Sequence, residues 1–337
     1  MYSNKETSGN AQGSIHCGGC NLPLFDAHCD TLLEMQRKDQ PLWKNTLHID
    51  LSRGLRHTPW AQFFAMFELP PDHEVQMRDV PPGTRAFDVL YNIFQGALSA
   101  NNDSMMLCRT ARDAKTAELE GKLAAFLSIE GAEAIDCSLE RLEEVHKLGV
   151  RMVTLTWNVP NVLSGTNVME TERGLSEQGR KFVRKCQELG VIVDVSHLSI
   201  PGFWDVAEEL TVPFIASHSN SAKIWSHPRN LHDDQFQAII RANGIAGINL
   251  YSVFLGDEPG IDHVIAHIEH FLSLGGEKHI ALGADLDGCD ALPHGIEGIQ
   301  DVEKLAEAML RRNYKEDLVW DMFYHNLMRV VGEICLT

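Results

Sequence analysis

The stretch LPLFDAHCD, residues 22–30, is a short apolar run that ends in two potential metal ligands, His28 and Asp30. The chain repeats such short β-rich runs, mostly with helical stretches between them. Eight runs are predicted to be strands: Leu22–Ala27, Gln62–Glu68, Leu123–Ile129, Arg151–Thr156, Val191–Val195, Phe214–Ser217, Ile245–Asn249 and His279–Gly283. Strands that alternate with helices indicate a parallel sheet, and eight of them predict an α/β fold, a (β/α)8 TIM-type barrel.

The stretches between these runs have helical periodicity. The predicted helices are Arg85–Ser99, Leu139–Leu148, Ser176–Leu189, Pro201–Glu209, Asp233–Ala242, Asp262–Leu274 and a closing helix Lys315–Val331. Two stretches do not fit a minimal barrel and are interpreted as rim insertions: His48–Arg53, which resembles an extra strand, and the proline-rich Pro70–Thr84. We predict a flexible polar segment over residues 1–20 and one barrel domain over residues 21–337.

The composition is that of an ordinary globular enzyme. Of 337 residues, 44% are hydrophobic, and the formal net charge is −18 without a basic stripe, so we expect no nucleic-acid partner. No apolar run approaches the ~20 residues that cross a bilayer, and the polar leader lacks a secretory signal. Eight irregularly spaced cysteines predict reduced thiols and a cytoplasmic protein that does not bind membranes. Cys17 and Cys20 form a CxxC motif that is a metal clip, a redox pair or incidental.

Five potential metal ligands stand at the ends of predicted strands. His28 and Asp30 are two residues apart, so in an extended strand their side chains share a face and can bind one ion. Glu130 ends a buried run, where its carboxylate needs either a basic partner or metal ions. His197 and His218 follow neighbouring predicted strands and can bind a second ion. Because barrel enzymes keep their active sites at the strands' carboxyl ends, this pattern indicates a two-metal hydrolase.

Other polar residues near the strand ends have less certain roles. Asp285 follows the last predicted strand, where a carboxylate can take a proton from an activated water and return it to a leaving amine; a turn or cap is the alternative. Asp194 either orients a ligand histidine or points elsewhere. Three histidines at helical spacing, His263, His267 and His270, are interpreted as a solvent-exposed helix face.

Eight motifs occur together in a family-specific order: DAHCD, AQFFAMF, SIEGAEA, DVSHLS, SHSNS, HPRNLHD, GINLY and ALGADLDG. On these motifs the chain resembles the membrane dipeptidase (renal dipeptidase) family, a branch of the amidohydrolase superfamily, from about Leu22 to Val331. The resemblance implies a metallo-dipeptidase that hydrolyses the peptide bond of dipeptides. It also implies a homodimer.

The resemblance further implies a binuclear zinc site. One zinc would be bound by His28 and Asp30 and the other by His197 and His218, with Glu130 bridging the two. A hydroxide between the ions would attack the peptide carbonyl of a dipeptide. The same ligands would also suit manganese or cobalt, so the metal's identity stays open.

Three further roles come from the resemblance. Asp285 would shuttle the proton. Arg229 matches the family's clamp for the substrate's terminal carboxylate, a role that suits the bidentate geometry of arginine. Tyr251 matches a residue that lines the same pocket.

The chain departs from the family at one substrate-contacting position. Mammalian members carry a histidine after the fourth strand, in Leu-Thr-His, whereas here Trp157 and then Asn158 follow Leu-Thr. Tryptophan offers one N–H donor and a larger apolar surface but no titratable group. Members with Leu-Thr-Trp-Asn also occur, so we expect activity to be retained. Asn158 or Asn161 would supply the missing donor.

Three functions stay open on the sequence alone. The leading hypothesis is a zinc dipeptidase, with a D-residue at the substrate's carboxyl end as an option. The second is another amidohydrolase reaction, such as hydrolysis of N-acyl amino acids or lactones; Arg229 argues against lactones, because a carboxylate clamp has no role with a neutral substrate. The third, a metal-binding protein without turnover, would require a damaged proton shuttle, and Asp285 is present.

Overall fold

The computed structural model describes residues 22–71, 73, 76–81 and 83–337. The predicted polar segment and its CxxC motif lie outside the described residues, so the domain boundary at residue 21 stays a prediction. Within the described part, nine strands form one sheet: β1 (Leu24–Asp26), β2 (Trp60–Phe67), β3 (Met105–Leu107), β4 (Leu123–Glu130), β5 (Val150–Thr154), β6 (Ile192–Asp194), β7 (Ile215–Ala216), β8 (Ile245–Ile248) and β9 (Ile280–Leu282).

Eight of these strands close into a parallel ring in the order β1-β2-β4-β5-β6-β7-β8-β9. β2 pairs with β4 along its length, from Ala61 opposite Ala124 to Phe67 opposite Glu130. β1 and β9 close the other side of the ring. The predicted (β/α)8 TIM-type barrel is therefore confirmed. The short strand β3 was not predicted; it lies outside the ring, against the amino-terminal part of β4.

Helices surround the ring and occur in the rim segments. They are α1 (Thr31–Lys38), α2 (Leu51–Gly54), α3 (Ala86–Ala100), α4 (Ala111–Leu119), α5 (Leu139–Leu148), α6 (Glu177–Leu189), α7 (Ile200–Glu209), α8 (Asp233–Arg241), α9 (Ile261–Ser273), α10 (Val302–Arg311), α11 (Glu316–Trp320) and α12 (Asn326–Ile334). The first six predicted helices match α3 and α5 to α9 to within one residue at each end. The predicted closing helix is α11, a π-helical turn and α12.

The prediction of an extra strand at His48–Arg53 is wrong. This stretch contains the short helix α2, which begins after Asp50. The Asp50 side chain accepts a hydrogen bond from the Arg53 backbone N–H at 2.8 Å and a second from the Arg53 Nε at 2.8 Å. An aspartate that caps a helical turn in this way favours helix over strand, although the apolar alternation of the stretch suggested a strand.

The bottom of the barrel is filled by aromatic side chains. Phe25, Phe63 and Phe126 point inward from β1, β2 and β4, and their ring centroids lie 5.2–5.6 Å apart. Leu327 of α12 belongs to the same buried cluster. This apolar plug leaves only the carboxyl-terminal half of the barrel interior for polar side chains.

Two further observations bear on the expected setting of the protein. Six cysteines in the described part are buried free thiols: Cys29, Cys108, Cys137, Cys186, Cys289 and Cys335. None of the helices in that part is both long and apolar enough to span a bilayer.

Candidate active site

The five predicted metal ligands meet at the carboxyl end of the ring. His28 and Asp30 follow β1, Glu130 is the last residue of β4, His197 follows β6 and His218 follows β7. Each of them is at most 6% exposed. The fold thus brings side chains from four strands to one buried point above the apolar plug.

Glu130 stands at the centre of this cluster. Its Oε2 atom lies 3.5 Å from the Nε2 of His28. Its Oε1 atom lies 2.9 Å from the Nε2 of His197 and 3.5 Å from the Nε2 of His218. No lysine or arginine of the described residues forms an ion pair with this carboxylate, so the salt-bridge interpretation of Glu130 is wrong. Its two oxygens face different histidines instead.

The atoms around His28 have the spacing of metal ligands rather than of hydrogen bonds. Its Nε2 lies 3.6 Å from Asp30 Oδ2 and 3.9 Å from Asp285 Oδ1. Ligand atoms bound tetrahedrally at zinc distances lie about 3.3–3.6 Å apart. The Nε2 of His28 and the Oδ1 of Asp30 are buried without a hydrogen-bond partner among the described residues. A shared cation would satisfy both, because buried polar atoms rarely stay unpaired.

The two other histidines point their Nε2 atoms at each other across 2.9 Å. His197 Nδ1 lies 2.9 Å from the side-chain oxygen of Asn158, which can only accept a hydrogen bond. The proton of a neutral His197 therefore sits on Nδ1, and its Nε2 carries a lone pair.

A longer chain of contacts fixes His218 in the same tautomer. The Ser217 hydroxyl donates to Asp194 Oδ2 at 2.5 Å, so it accepts from His218 Nδ1, 2.7 Å away. Asp194 also accepts from the Thr154 hydroxyl and from the backbone N–H groups of Ser196 and Ser217. Asp194 thus orients a ligand histidine, but it does so through Ser217.

Electrostatics keep these two imidazoles neutral. Burial, with the nearby Arg229 charge, lowers the pKa of His197 to about 4. Burial likewise holds the pKa of His218 well below its usual range. The lone pairs of the two imidazoles and the Glu130 carboxylate therefore converge, which suits a divalent cation.

Burial alone would lower the pKa of His28 as well. The carboxylates of Glu130 and Asp30 outweigh burial and raise its pKa well above the usual value. A proton on His28 would therefore occupy the place that a cation would take. The donor set of the cluster fits bound divalent metal.

Asp285 lies beside this cluster on a loop that turns back over the barrel. Its backbone is left-handed, with φ 59°, as is that of His197, with φ 67°. Such conformations cost a non-glycine residue roughly 1–3 kcal/mol and persist where the surroundings impose them. Asn249 donates a hydrogen bond to Asp285 Oδ2 at 3.0 Å, whereas Oδ1 lies 3.9 Å from His28 Nε2. Burial raises the pKa of Asp285 to about 6.

Arg229 is buried at the edge of the same cavity, which has a volume of about 460 Å³. Its Nη2 donates to the backbone oxygen of His218 at 3.3 Å, and its guanidinium lies 5.4 Å from the Phe254 ring centroid. Its Nε and Nη1 have no hydrogen-bond partner among the described residues. Tyr251 lines the cavity next to it. Two free donors on a buried arginine are suited to a carboxylate of a ligand.

The residues at and after the position where this chain departs from the family, Trp157, Asn158 and Asn161, have different surroundings. Trp157 lines the cavity, with its ring 5.8 Å from that of Phe67. Asn158 also lines it, although its side-chain oxygen is used by His197. Asn161 does not supply the missing donor, because its amide hydrogens go to Glu133 Oε2 and to the backbone oxygen of Leu155.

Three supporting residues were missed from the sequence. Ser217 and Asn249 also stand at the carboxyl ends of strands, the same signal that singled out the ligands, but their uncharged side chains gave no reason to choose them. The third is Gly288, where there is no room for a side chain. A Cβ atom there would lie 2.1 Å from Asp30 Oδ2 and 2.3 Å from Asp285 Oδ1.

The interpretation of the helical histidines is wrong for one of the three. His267 is fully buried, not exposed to solvent. Its Nδ1 accepts a hydrogen bond from the Ser221 backbone N–H at 3.0 Å, and its Nε2 contacts the backbone oxygen of Leu255. It therefore anchors the segment that follows His218.

Several known proteins are similar to this chain in sequence and in fold. A Schizosaccharomyces pombe protein named as an uncharacterized dipeptidase is 30% identical over 302 residues, which is 85% of this chain and 72% of that protein. A metallopeptidase from Rhodobacter sphaeroides, solved with a phosphinate mimic of L-Ala-D-Ala, is 28% identical with a TM-score of 0.83, covering 93% of this chain and 99% of that one.

A second solved structure, the dipeptidase AC, is 29% identical with a TM-score of 0.83, covering 94% of this chain and 100% of that chain. The model of the membrane dipeptidases, peptidase family M19, matches residues 20–337. The match therefore includes all the site residues described above.

Proposed function

This chain belongs to the membrane dipeptidase family, peptidase family M19, and from that premise we propose a two-zinc dipeptidase that accepts a D-residue at the carboxyl end of its substrate. That the chain is a metal-dependent hydrolase of dipeptides follows from the family and from the solved relatives. The number of ions, their identity and the stereochemistry are the finer proposal. The relative that binds a mimic of L-Ala-D-Ala supports the last point.

The metal ligands divide between the two oxygens of Glu130. His28 and Asp30 would hold one zinc on the Oε2 side, and His197 and His218 the other on the Oε1 side. When bound, zinc would supply Lewis acidity and a water nucleophile at neutral pH. The support for a bridging role of Glu130 is that its two oxygens face different histidines: Oε2 faces His28, and Oε1 faces His197 and His218.

Arg229 is the residue that indicates the class of substrate. Arg229 lines the same cavity as Asp30, Glu130 and His197, and its Nε and Nη1 atoms have no hydrogen-bond partner among the described residues. A dipeptide carries a free carboxylate one residue away from the scissile bond, so an arginine that pairs with this carboxylate would position the peptide carbonyl over the cluster. Tyr251 lines the wall where that carboxylate would sit.

Asp285 is the proposed proton carrier. Asn249 holds its Oδ2, which leaves Oδ1 to accept a proton from the attacking water and to return it to the departing amine nitrogen. With a pKa of about 6 the carboxyl is largely ionised at neutral pH, so it begins the reaction as a base. A dication nearby would lower this raised pKa.

The test is hydrolysis of L-Ala-L-Ala, L-Ala-D-Ala, Gly-D-Ala and an N-acetyl amino acid, with metal content measured on the same sample. Two zinc ions per chain and release of amino acids from the dipeptides alone, fastest from L-Ala-D-Ala, are the expected results. Hydrolysis of the N-acetyl compound only would favour the other amidohydrolase reaction. A single ion per chain at full activity would contradict the two-zinc site.

We also propose that the protein is cytoplasmic and a homodimer, with no membrane or nucleic-acid partner. The buried free thiols support a reducing compartment, and the dimer rests on the family. Cell fractionation and light scattering of the purified protein test the two proposals separately.

A further inference from the structure

One wall of the cavity is apolar and has no part in the proposed chemistry. Phe67, the last residue of β2, and Trp157, which follows β5, lie with their ring centroids 5.8 Å apart. Leu69 lines the cavity beside them, and the ring of His73 meets Trp157 edge-on at 5.6 Å. We call Phe67, Leu69 and Trp157 the apolar wall. Phe67 and Leu69 are at most 9% exposed, so the wall is firmly packed from behind.

The strand order places Phe67 across the barrel mouth from Arg229, and Trp157, although it follows a strand only two places from β7, packs on that side against Phe67. β2 and β5 flank β4, which ends in Glu130. β7, whose following loop carries Arg229, stands opposite β2 in the ring of eight. The metal ligands therefore lie between the cationic end of the cavity and the apolar wall.

This arrangement fixes the direction of a bound dipeptide, given the proposed function on which the inference rests. With its carboxylate on Arg229 and its peptide carbonyl at the metal ligands, the amino-terminal residue reaches the opposite side of the mouth. We propose that the apolar wall is the subsite for the amino-terminal side chain, and that Trp157 makes the enzyme selective for dipeptides with a large apolar residue at that position.

The chemistry of Trp157 explains the direction of the selectivity. A large apolar side chain that covers the indole and Phe67 removes apolar surface from water, whereas glycine leaves that surface hydrated. Even one methylene in an apolar pocket changes kcat/KM by roughly 10- to 200-fold. We therefore expect kcat/KM for L-Leu-D-Ala to exceed that for Gly-D-Ala at least about tenfold.

The experiment is a competition between L-Leu-D-Ala and Gly-D-Ala in one reaction of the zinc-loaded full-length protein. The ratio of the two products gives the ratio of the kcat/KM values, and it is independent of metal occupancy and of the fraction of folded protein. Trp157→Ala is expected to reduce this ratio about tenfold. Trp204→Ala, at a tryptophan 36% exposed on α7, is the matched control and should keep the wild-type ratio.

The outcomes separate this inference from the proposed function. Hydrolysis of neither dipeptide by metal-loaded wild type refutes the function itself. Equal kcat/KM values for the two substrates in the wild type overturn the subsite even if no variant folds, and so does an unchanged ratio in Trp157→Ala. A second competition, Gly-D-Leu against Gly-D-Ala, checks the direction; if Trp157→Ala changes that ratio instead, the wall faces the carboxyl-terminal residue and the inference is wrong.

Discussion

Replacing Ser217 by alanine tests whether the hydrogen-bond chain behind His218 tunes the metal site. The change removes the hydroxyl that joins Asp194 to His218 Nδ1. His218 then loses the acceptor that fixes its tautomer and ring orientation, and such losses typically weaken metal binding 10- to 100-fold. This corresponds to about 1.4–2.8 kcal/mol of binding free energy. Asp194 keeps the Thr154 hydroxyl and two backbone N–H donors, so the protein should fold.

The measurement is titration of the metal-free protein with Zn²⁺ against a chromogenic chelator, which reports affinity without any turnover. Ser128→Ala is the matched control, because this hydroxyl is 1% exposed on β4 and has no hydrogen-bond partner among the described residues. Wild-type affinity in Ser217→Ala would refute the reasoning. An equal loss in Ser128→Ala would show that the effect belongs to any buried hydroxyl of the barrel.

Four further predictions follow from the site. Gly288→Ala should lower kcat/KM about 100-fold in a folded protein, because its methyl group would displace the carboxylates of Asp30 and Asp285; steady-state kinetics with circular dichroism as the folding check would show this. Asp285→Asn should keep its metal content but lose about 10²- to 10⁴-fold in kcat, and retained turnover would remove it as proton carrier. Arg229→Met should raise KM for dipeptides, by about 2–5 kcal/mol in binding; an unchanged KM would disprove the clamp. Burial lowers the pKa of His267 to about 4. Between about pH 6.5 and pH 4 this imidazole is therefore protonated in the unfolded chain but neutral in the folded protein. Stability should therefore fall as the pH drops below about 6.5, by about 2 kcal/mol at pH 5. Urea unfolding at pH 7 and pH 5 should show a smaller loss in His267→Gln, and an identical loss would contradict the assignment.

Much of the barrel could be predicted because its strands are fully buried. A buried parallel strand is a continuous run of apolar residues, and a helix such as α5 or α6 has apolar residues at regular helical spacing. Both patterns lie within a short stretch of sequence, so they can be recognised without knowledge of the fold. β3 could not be predicted, since three residues carry no pattern and its position depends on the edge of β4. The region of α2 resembles a strand by its alternating apolar residues, whereas the Asp50 side chain caps a helical turn there.

The ligands of the site could also be predicted, because charged or imidazole side chains at the ends of apolar runs are conspicuous. What could not be predicted is how they are supported. Asn158 was expected to meet the substrate, yet its oxygen contacts His197, a pairing that depends on the path of a rim loop. His267 sits at a helical position that looks exposed in sequence, and only the packing of α9 against the Ser221 segment buries it.

The closure of the ring has a consequence for how the protein is made. β1 pairs with β9, and the three phenylalanines at the barrel floor share one buried cluster with residues of α12. A nascent chain can therefore complete neither the ring nor its floor until β9 and α12 have left the ribosome, well after His218 has done so. During this interval the inward faces of β2 and β4 remain uncovered and prone to aggregate. The ring that positions the candidate metal ligands thus closes late in synthesis, and its strands stay exposed to misassembly until the two distant parts of the chain meet.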